Sequence, residues 1–126
     1  AGFIGSNFVK YMLERHSEYR IINIDALTYA GNLENLKDID GNPNYEFIKV
    51  DIRVREKVEE IFKKDEITSV VNFAAESHVD RSITDPNAFI NTNVIGTANL
   101  LNLAREFWTL NPDHQHGNFP DRKSLC

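Results

Sequence analysis

Gly2 and Gly5 open an amphipathic stretch, Phe3 to Leu13, and an acid, Asp25, closes an isoleucine-rich run twenty residues after the second glycine. This pattern constrains the fold more than any other in the chain. Glycine lacks a Cβ, so the backbone at Gly2 and Gly5 can come close to a ligand or a neighbouring strand. A helix that starts at such a loop points unpaired N–H groups and the positive end of its dipole outward. That mouth suits a phosphate, and a dinucleotide-binding fold pairs it with an acid at the end of the next strand. The plainer reading of the glycines is a tight turn that packs a helix on a sheet.

Helix-period and strand-like runs alternate along the chain. Phe3, Ile4, Phe8, Val9, Met12 and Leu13 recur at helical spacing and predict a helix over 3–16. Arg20 to Asp25 (RIINID) reads as a buried parallel strand. Turn residues follow, with one helical turn over 33–39. Tyr45 to Val50 (YEFIKV) is a second strand, ending at Asp51. Val54, Val58, Ile61 and Phe62 make one face of a second helix. Ile67 to Ala75 (ITSVVNFAA) is the most apolar run and reads as a third strand. Asp85-Pro86 is a helix start, with Asp as N-cap and Pro in the first turn. Phe89, Ile90, Val94, Leu101, Ala104 and Phe107 or Trp108 carry that helix to near Trp108.

The order predicts an α/β class, a Rossmann-like doubly wound parallel sheet. A helix ahead of the first strand implies that a leading strand, central in the order 3-2-1-4, is missing, so the sheet is partial. We expect an incomplete dinucleotide-binding domain over 1–108 and an irregular tail over 109–126, rich in Asn, Asp, His and Pro. His114 and His116 in that tail read as solvated, not as metal ligands. A net charge of −5 argues against a nucleic-acid partner. No apolar run approaches the ~20 residues that span a bilayer. One cysteine, Cys126, cannot close an internal disulfide and suits a reducing cytoplasm.

Asp25 is placed to accept hydrogen bonds from an adenosine ribose, and its charge repels a 2′-phosphate, which favours NAD over NADP. Asp51 can accept from an adenine amino group, with Ile52 packing on the ring, or can cap the helix that follows. The two roles are compatible. The apolar run through Phe73 ends in Ala74 and Ala75, small residues at a strand's C-terminal end that leave room for a ligand in the crevice. Glu76, Ser77, His78, Asp80 and Arg81 follow them, as a polar site or as a solvated loop. Thr92 and Asn93 are polar within an apolar helix face.

GFIGS (2–6), DALTYAGNLENL (25–36), AAESHVDRSI (74–83) and NTNVIGT (91–97) together resemble the dTDP-glucose 4,6-dehydratases, a family of extended short-chain dehydrogenases/reductases. The resemblance covers about residues 1–108. It implies that Gly2, Phe3, Ile4 and Gly5 meet the NAD pyrophosphate, Phe3 and Ile4 through their amides. Asp25, Ala26, Leu27 and Thr28 would surround the adenosine ribose, and Asp51 and Ile52 the adenine. Phe73, Ala74, Ala75 and Glu76 would line the path to the nicotinamide. Ser77 would touch both cofactor and sugar, and Thr92 would back the cofactor. The family's reaction is an internal redox cycle: hydride leaves C4 of the glucose for NAD⁺, water leaves across C5 and C6, and hydride returns to C6. The long helix from Pro86 resembles one that pairs into a homodimer interface. The family's Tyr-x-x-x-Lys pair and Thr-Asp-Glu triplet fall downstream of the matching stretch, so no catalytic residue is assigned in this chain. Alternatives are a non-catalytic dinucleotide-binding module and a sister nucleotide-sugar epimerase or decarboxylase.

Overall fold

The computed structural model describes residues 1–77 and 85–110. Helix α1 (Phe3–Arg15) leads into strand β1 (Ile21–Asp25). A 3-10 helix (Leu33–Ile39) and a turn at Gly41, where φ is +87°, carry the chain to strand β2 (Tyr45–Lys49). Helix α2 (Arg55–Lys64) follows. The last helical rod is a short α3 (Pro86–Phe89), a π-helical segment (Ile90–Gly96) and α4 (Thr97–Leu110).

β1 and β2 pair in parallel, in register from Ile21 opposite Tyr45 to Asp25 opposite Lys49. The ladder is extended at both ends, by Ile21 N–H to the Asn44 carbonyl (2.8 Å) and Val50 N–H to the Asp25 carbonyl (3.1 Å). Parallel pairing brings both strands' C-terminal ends, Asp25 and the approach to Asp51, to one sheet edge.

Two apolar clusters flank the strands. Val9 and Leu13 of α1 are buried, as is Leu36 of the 3-10 helix that α1 packs against. The larger cluster joins Ile52, Val58, Phe62, Leu100, Leu103 and Ala104, with Ile24, Val50, Ile67, Phe107 and Trp108 packed on it. The Phe62 and Phe107 rings lie 5.5 Å apart at 45°, a tilted geometry aromatic pairs favour. Trp108 Nε1 donates to the Ile67 carbonyl at 2.6 Å, pinning the chain after α2 to α4.

Four expectations need correction. Phe3 and Ile4 do not share the buried face of α1: they are 83% and 68% exposed, while Ser6, Val9 and Leu13 are buried. Val54 stands at the N-cap of α2 and is exposed, not part of its buried face. The run 67–75 forms no ladder among the described residues, and 68–75 are exposed. A strand is defined by its neighbour, and neither β1 nor β2 pairs with this run. Finally, Ile90, Val94 and Leu101 are exposed, and the rod buries Gly96, Leu100 and Leu103 beside the expected Ala104. The π segment, whose bonds run i to i+5, advances fewer degrees per residue than an α-helix and shifts the buried stripe. Asp85 does cap this rod as expected, its carboxylate accepting from Ala88 N–H at 3.2 Å. The rod continues through Leu110, two residues past the expected end. The rest of the expected tail lies outside the described residues.

Candidate functional site

The mouth of α1 is built from Gly2. Its backbone is extended (φ −74°, ψ 174°), it makes no side-chain cap, and the first turn holds no acid. Ser6 N–H closes the first intrahelical bond, to the Gly2 carbonyl at 2.9 Å. The amides of Phe3, Ile4 and Gly5 precede that bond and point out of the helix end. The nearest atom to a Cβ built on Gly2 is the Ala30 carbonyl oxygen at 3.7 Å, and Gly5 faces Phe73 at 3.8 Å. The mouth is thus bordered by two other segments.

One is the loop after β1. Asp25 Oδ2 accepts from the Ala1 nitrogen at 2.7 Å, and Oδ1 accepts from Leu27 N–H at 2.7 Å. The Ala1 carbonyl accepts from Asn32 N–H (3.2 Å) and from Asn35 Nδ2 (3.0 Å). Three of these bonds tie Asp25, Asn32 and Asn35 to the residue before the helix mouth, and the fourth folds Leu27, and with it the turn through Ala26 and Thr28, back on Asp25. Leu27 takes φ = +53°, a left-handed conformation that costs a residue with a branched side chain.

The other is the segment 73–77. Phe73 packs its ring 5.0 Å from Phe8 of α1. Asn93 grips Glu76 with both ends of its amide: it accepts from Glu76 N–H at 2.8 Å and donates to the Glu76 carbonyl at 2.9 Å. Tyr29 Oη donates to Glu76 Oε2 at 3.4 Å, joining this segment to the loop after β1. Ala74, Ala75 and Ser77 are exposed beside it, and Thr92 is half-buried next to Asn93 on the π segment. His78, Asp80 and Arg81 lie outside the described residues.

The Asp51 carboxylate binds its own neighbourhood. It accepts Arg53 N–H at 2.9 Å and holds the Arg53 guanidinium, Nη2 to Oδ2 at 2.6 Å. That hydrogen-bonded pairing keeps the Asp51 carboxyl below the usual carboxylate range and raises Arg53. The helix cap read for Asp51 is not made, since Val54 is the N-cap of α2 and no side chain caps it. Ile52 is corrected more sharply. Its side chain is 6% exposed and lies in the core, so it cannot pack on a bound ring. Asn99 Nδ2 donates to the Ile52 carbonyl at 3.0 Å and fixes this turn.

A Tyr-x-x-x-Lys spacing does occur once, at Tyr45–Lys49, and the sequence reading passed over it. It lies on β2, where residues four apart stand about 13 Å from one another. The Tyr45 hydroxyl is engaged with Asn23 Nδ2 at 3.2 Å, and burial pushes its phenol up. A proton-transfer pair needs the opposite, so this match carries no chemistry. Among the described residues no three His, Cys, Asp or Glu gather into a metal site, and no helix is long and apolar enough to cross a membrane.

A helix mouth, an acid at the end of the adjacent parallel strand and a polar segment beside both define a partial Rossmann-type α/β domain. The family model described as GDP-mannose 4,6 dehydratase matches residues 1–116, and the chain belongs to that family. It is 46% identical over 119 residues to a dTDP-glucose 4,6-dehydratase of Neisseria meningitidis serogroup B, and 48% identical over 119 residues to one of Xanthomonas campestris pv. campestris. Each alignment takes in 94% of this chain and 33% of the relative. Among solved structures it resembles the Bacillus anthracis dTDP-glucose 4,6-dehydratase in complex with NAD (50% identity, TM-score 0.74, 85% of this chain and 32% of that one). It also resembles a Streptomyces venezuelae dTDP-glucose 4,6-dehydratase with NAD bound (42% identity, TM-score 0.75, 84% and 34%). The chain therefore spans about a third of the length of the relatives it matches.

Proposed function

We propose that residues 1–108 are the NAD-binding portion of a dTDP-glucose 4,6-dehydratase, a lyase that converts dTDP-glucose to dTDP-4-keto-6-deoxyglucose. The observation that carries this is the shared edge: the loop after Asp25 is bonded to the residue before the open mouth of α1, Asn32 N–H and Asn35 Nδ2 both donating to the Ala1 carbonyl at 3.2 and 3.0 Å. An ADP moiety spans those two features. The amides of Phe3 and Ile4 would hold the pyrophosphate between Gly2 and Gly5. Asp25, with Ala26, Leu27 and Thr28 behind it, would take the ribose diol. Asp51 and the backbone of Ile52 would border the adenine. Phe73, Ala74, Ala75 and Glu76 would border the nicotinamide, with Thr92 behind and Ser77 toward the sugar. The residues fit the cofactor in charge as well as shape, since the mouth carries no competing acid while the ribose position carries one. Bound NAD would supply a hydride acceptor that is regenerated within one turnover, so the protein's task here is to hold it.

The exposed stripe Ile90, Val94 and Leu101, spaced four and seven residues apart, supports a homodimer through the Pro86–Leu110 rod. The single cysteine fits a cytoplasmic home.

The test is NAD titration with a thermal readout on the protein as its gene encodes it, beside turnover of dTDP-glucose and UDP-sugars. A binder gains about 2.7 kcal/mol at a hundredfold excess over Kd. Residues 1–126 alone should not turn over dTDP-glucose, because among the described residues no Tyr and Lys are placed as a proton-transfer pair. No stabilisation by NAD, or turnover by the 126-residue chain, would overturn the respective half of the proposal.

A further inference from the structure

The loop after β1 closes on itself in a way that only glycine at position 31 allows. A Cβ built on Gly31 would lie 2.9 Å from Asp25 Oδ1, 2.9 Å from the Leu27 Cα and 3.3 Å from the Leu27 Cδ2. Carbon atoms in contact prefer about 3.5–4.0 Å. The carboxylate oxygen cannot yield easily, because it is held by Leu27 N–H at 2.7 Å. The Leu27 Cα is backbone, already committed to φ = +53°. Gly31 N–H in turn donates to the Thr28 carbonyl at 3.0 Å, and the next residue, Asn32, donates to the Ala1 carbonyl. The turn 27–31, the Asp25 carboxylate and the start of α1 thus form one closed set of contacts.

We infer that Gly31 is a positioning residue that sets preference at the adenosine ribose: by admitting Leu27 to within hydrogen-bond reach of Asp25, it fixes the carboxylate in one orientation. This deepens the dinucleotide reading and rests on it. A carboxylate free to turn can accept from a ribose diol in one rotamer and swing aside for a 2′-phosphate in another. A carboxylate tied through Oδ1 to the Leu27 amide presents its remaining lone pairs to the 2′- and 3′-hydroxyls and does not swing aside for a phosphate. A methyl at position 31 drives Leu27 and the Asp25 oxygen apart and frees the carboxylate. The ligand class is therefore a nucleotide with an unsubstituted ribose diol, and Gly31 acts through Asp25 without touching it.

The experiment measures Kd for NAD and for NADP by direct titration of the wild-type protein and of Gly31→Ala, with melting curves alongside. Losing one charge-assisted bond in the clamp predicts an NAD affinity lower by about tenfold. NADP affinity should change little or improve, so the NAD-over-NADP preference shrinks by at least that factor. A role confined to folding would weaken both ligands alike and leave the ratio unchanged, which overturns the inference while NAD binding stands. Absence of NAD binding by the wild-type protein overturns the dinucleotide reading and the inference with it. If Gly31→Ala does not fold, the double variant Leu27→Gly/Gly31→Ala is read in the same way. Its position 27 is at ease at positive φ and carries no Cδ2 to collide, yet the Asp25 contact remains.

Discussion

Gly96 tests how tightly the core closes around the Ile52 side chain. It is buried within the π segment, and a Cβ placed on it would sit 2.7 Å from both Cγ1 and Cδ1 of Ile52. Gly96→Ala therefore sets two effects against each other. Replacing glycine inside a helix by alanine gains about 1 kcal/mol of propensity. Against this, the new methyl must push Ile52 by about 1 Å to reach an ordinary carbon contact. Ile52 has nowhere to go: it is 6% exposed and packed with Val58 and Leu103, both 0% exposed. Overpacking of this kind costs about 1–3 kcal/mol. The loss should outweigh the gain, leaving a net destabilisation of about 1 kcal/mol. Ile52→Val removes Cδ1, one of the two colliding atoms, and alone costs about 1 kcal/mol. The double variant should thus be more stable than the sum of the single changes predicts, by about 0.5–1.5 kcal/mol of coupling. The single tryptophan, Trp108, packs against the same cluster, so its fluorescence follows urea unfolding directly. Additive changes, or a Gly96→Ala protein more stable than wild type, would refute the reasoning.

Other expectations follow from single contacts. Leu103→Ala empties a fully buried position and should cost about 2–5 kcal/mol in the same urea titration; a cost below 1 kcal/mol would show that the cluster is loose. Arg20→Met should cost about 2–3 kcal/mol, because the Asp65 side chain, 6% exposed at the C-terminal end of α2, loses its 2.5 Å partner. Adding Asp65→Asn should restore most of that stability if the unpaired charge is the cause. Asn93→Ala removes both bonds to the Glu76 backbone, about 1–2 kcal/mol together, and should raise amide exchange at Glu76; unchanged exchange there would contradict the bracket. The Asp51 carboxyl is held below its unfolded value by the Arg53 hydrogen bonds. Its contribution is present above the unfolded pKa of about 3.9 and is lost as pH falls through the lower, folded value. Asp51→Asn should flatten the acid limb of stability, and an acid limb identical to wild type would assign that loss to other groups.

What the sequence disclosed, and what it withheld, divides by the range of the interactions. The α1 mouth and Asp25 were legible because each is a local pattern: glycines before a helical period, and an acid ending a β-branched run. Asp85-Pro86 was legible for the same reason. The run 67–75 misled because strand formation is not local. Its apolar residues announce burial, but a ladder needs a neighbour, and among the described residues only β1 and β2 pair. Val71 and Phe73 are exposed. The phase of the last rod was hidden because α and π windings differ by one hydrogen-bond step that no side chain announces. Gly96, a small residue inside a helical period, was the one mark that a close approach occurs there. Leu27 carried no mark at all, since a leucine gives no warning of positive φ. Its neighbour Gly31 did: a glycine four residues further on, in the YAGN turn, is what a folded-back loop requires. Ile52 shows the remaining limit. A hydrophobic residue beside a site acid can face ligand or core with equal plausibility in sequence, and only the packing of Val58, Phe62 and Leu103 decides for the core. The lesson for this class of fragment is that ligand-facing backbone and core-facing side chain can belong to the same residue, so a site roster read from sequence names positions more reliably than it names atoms.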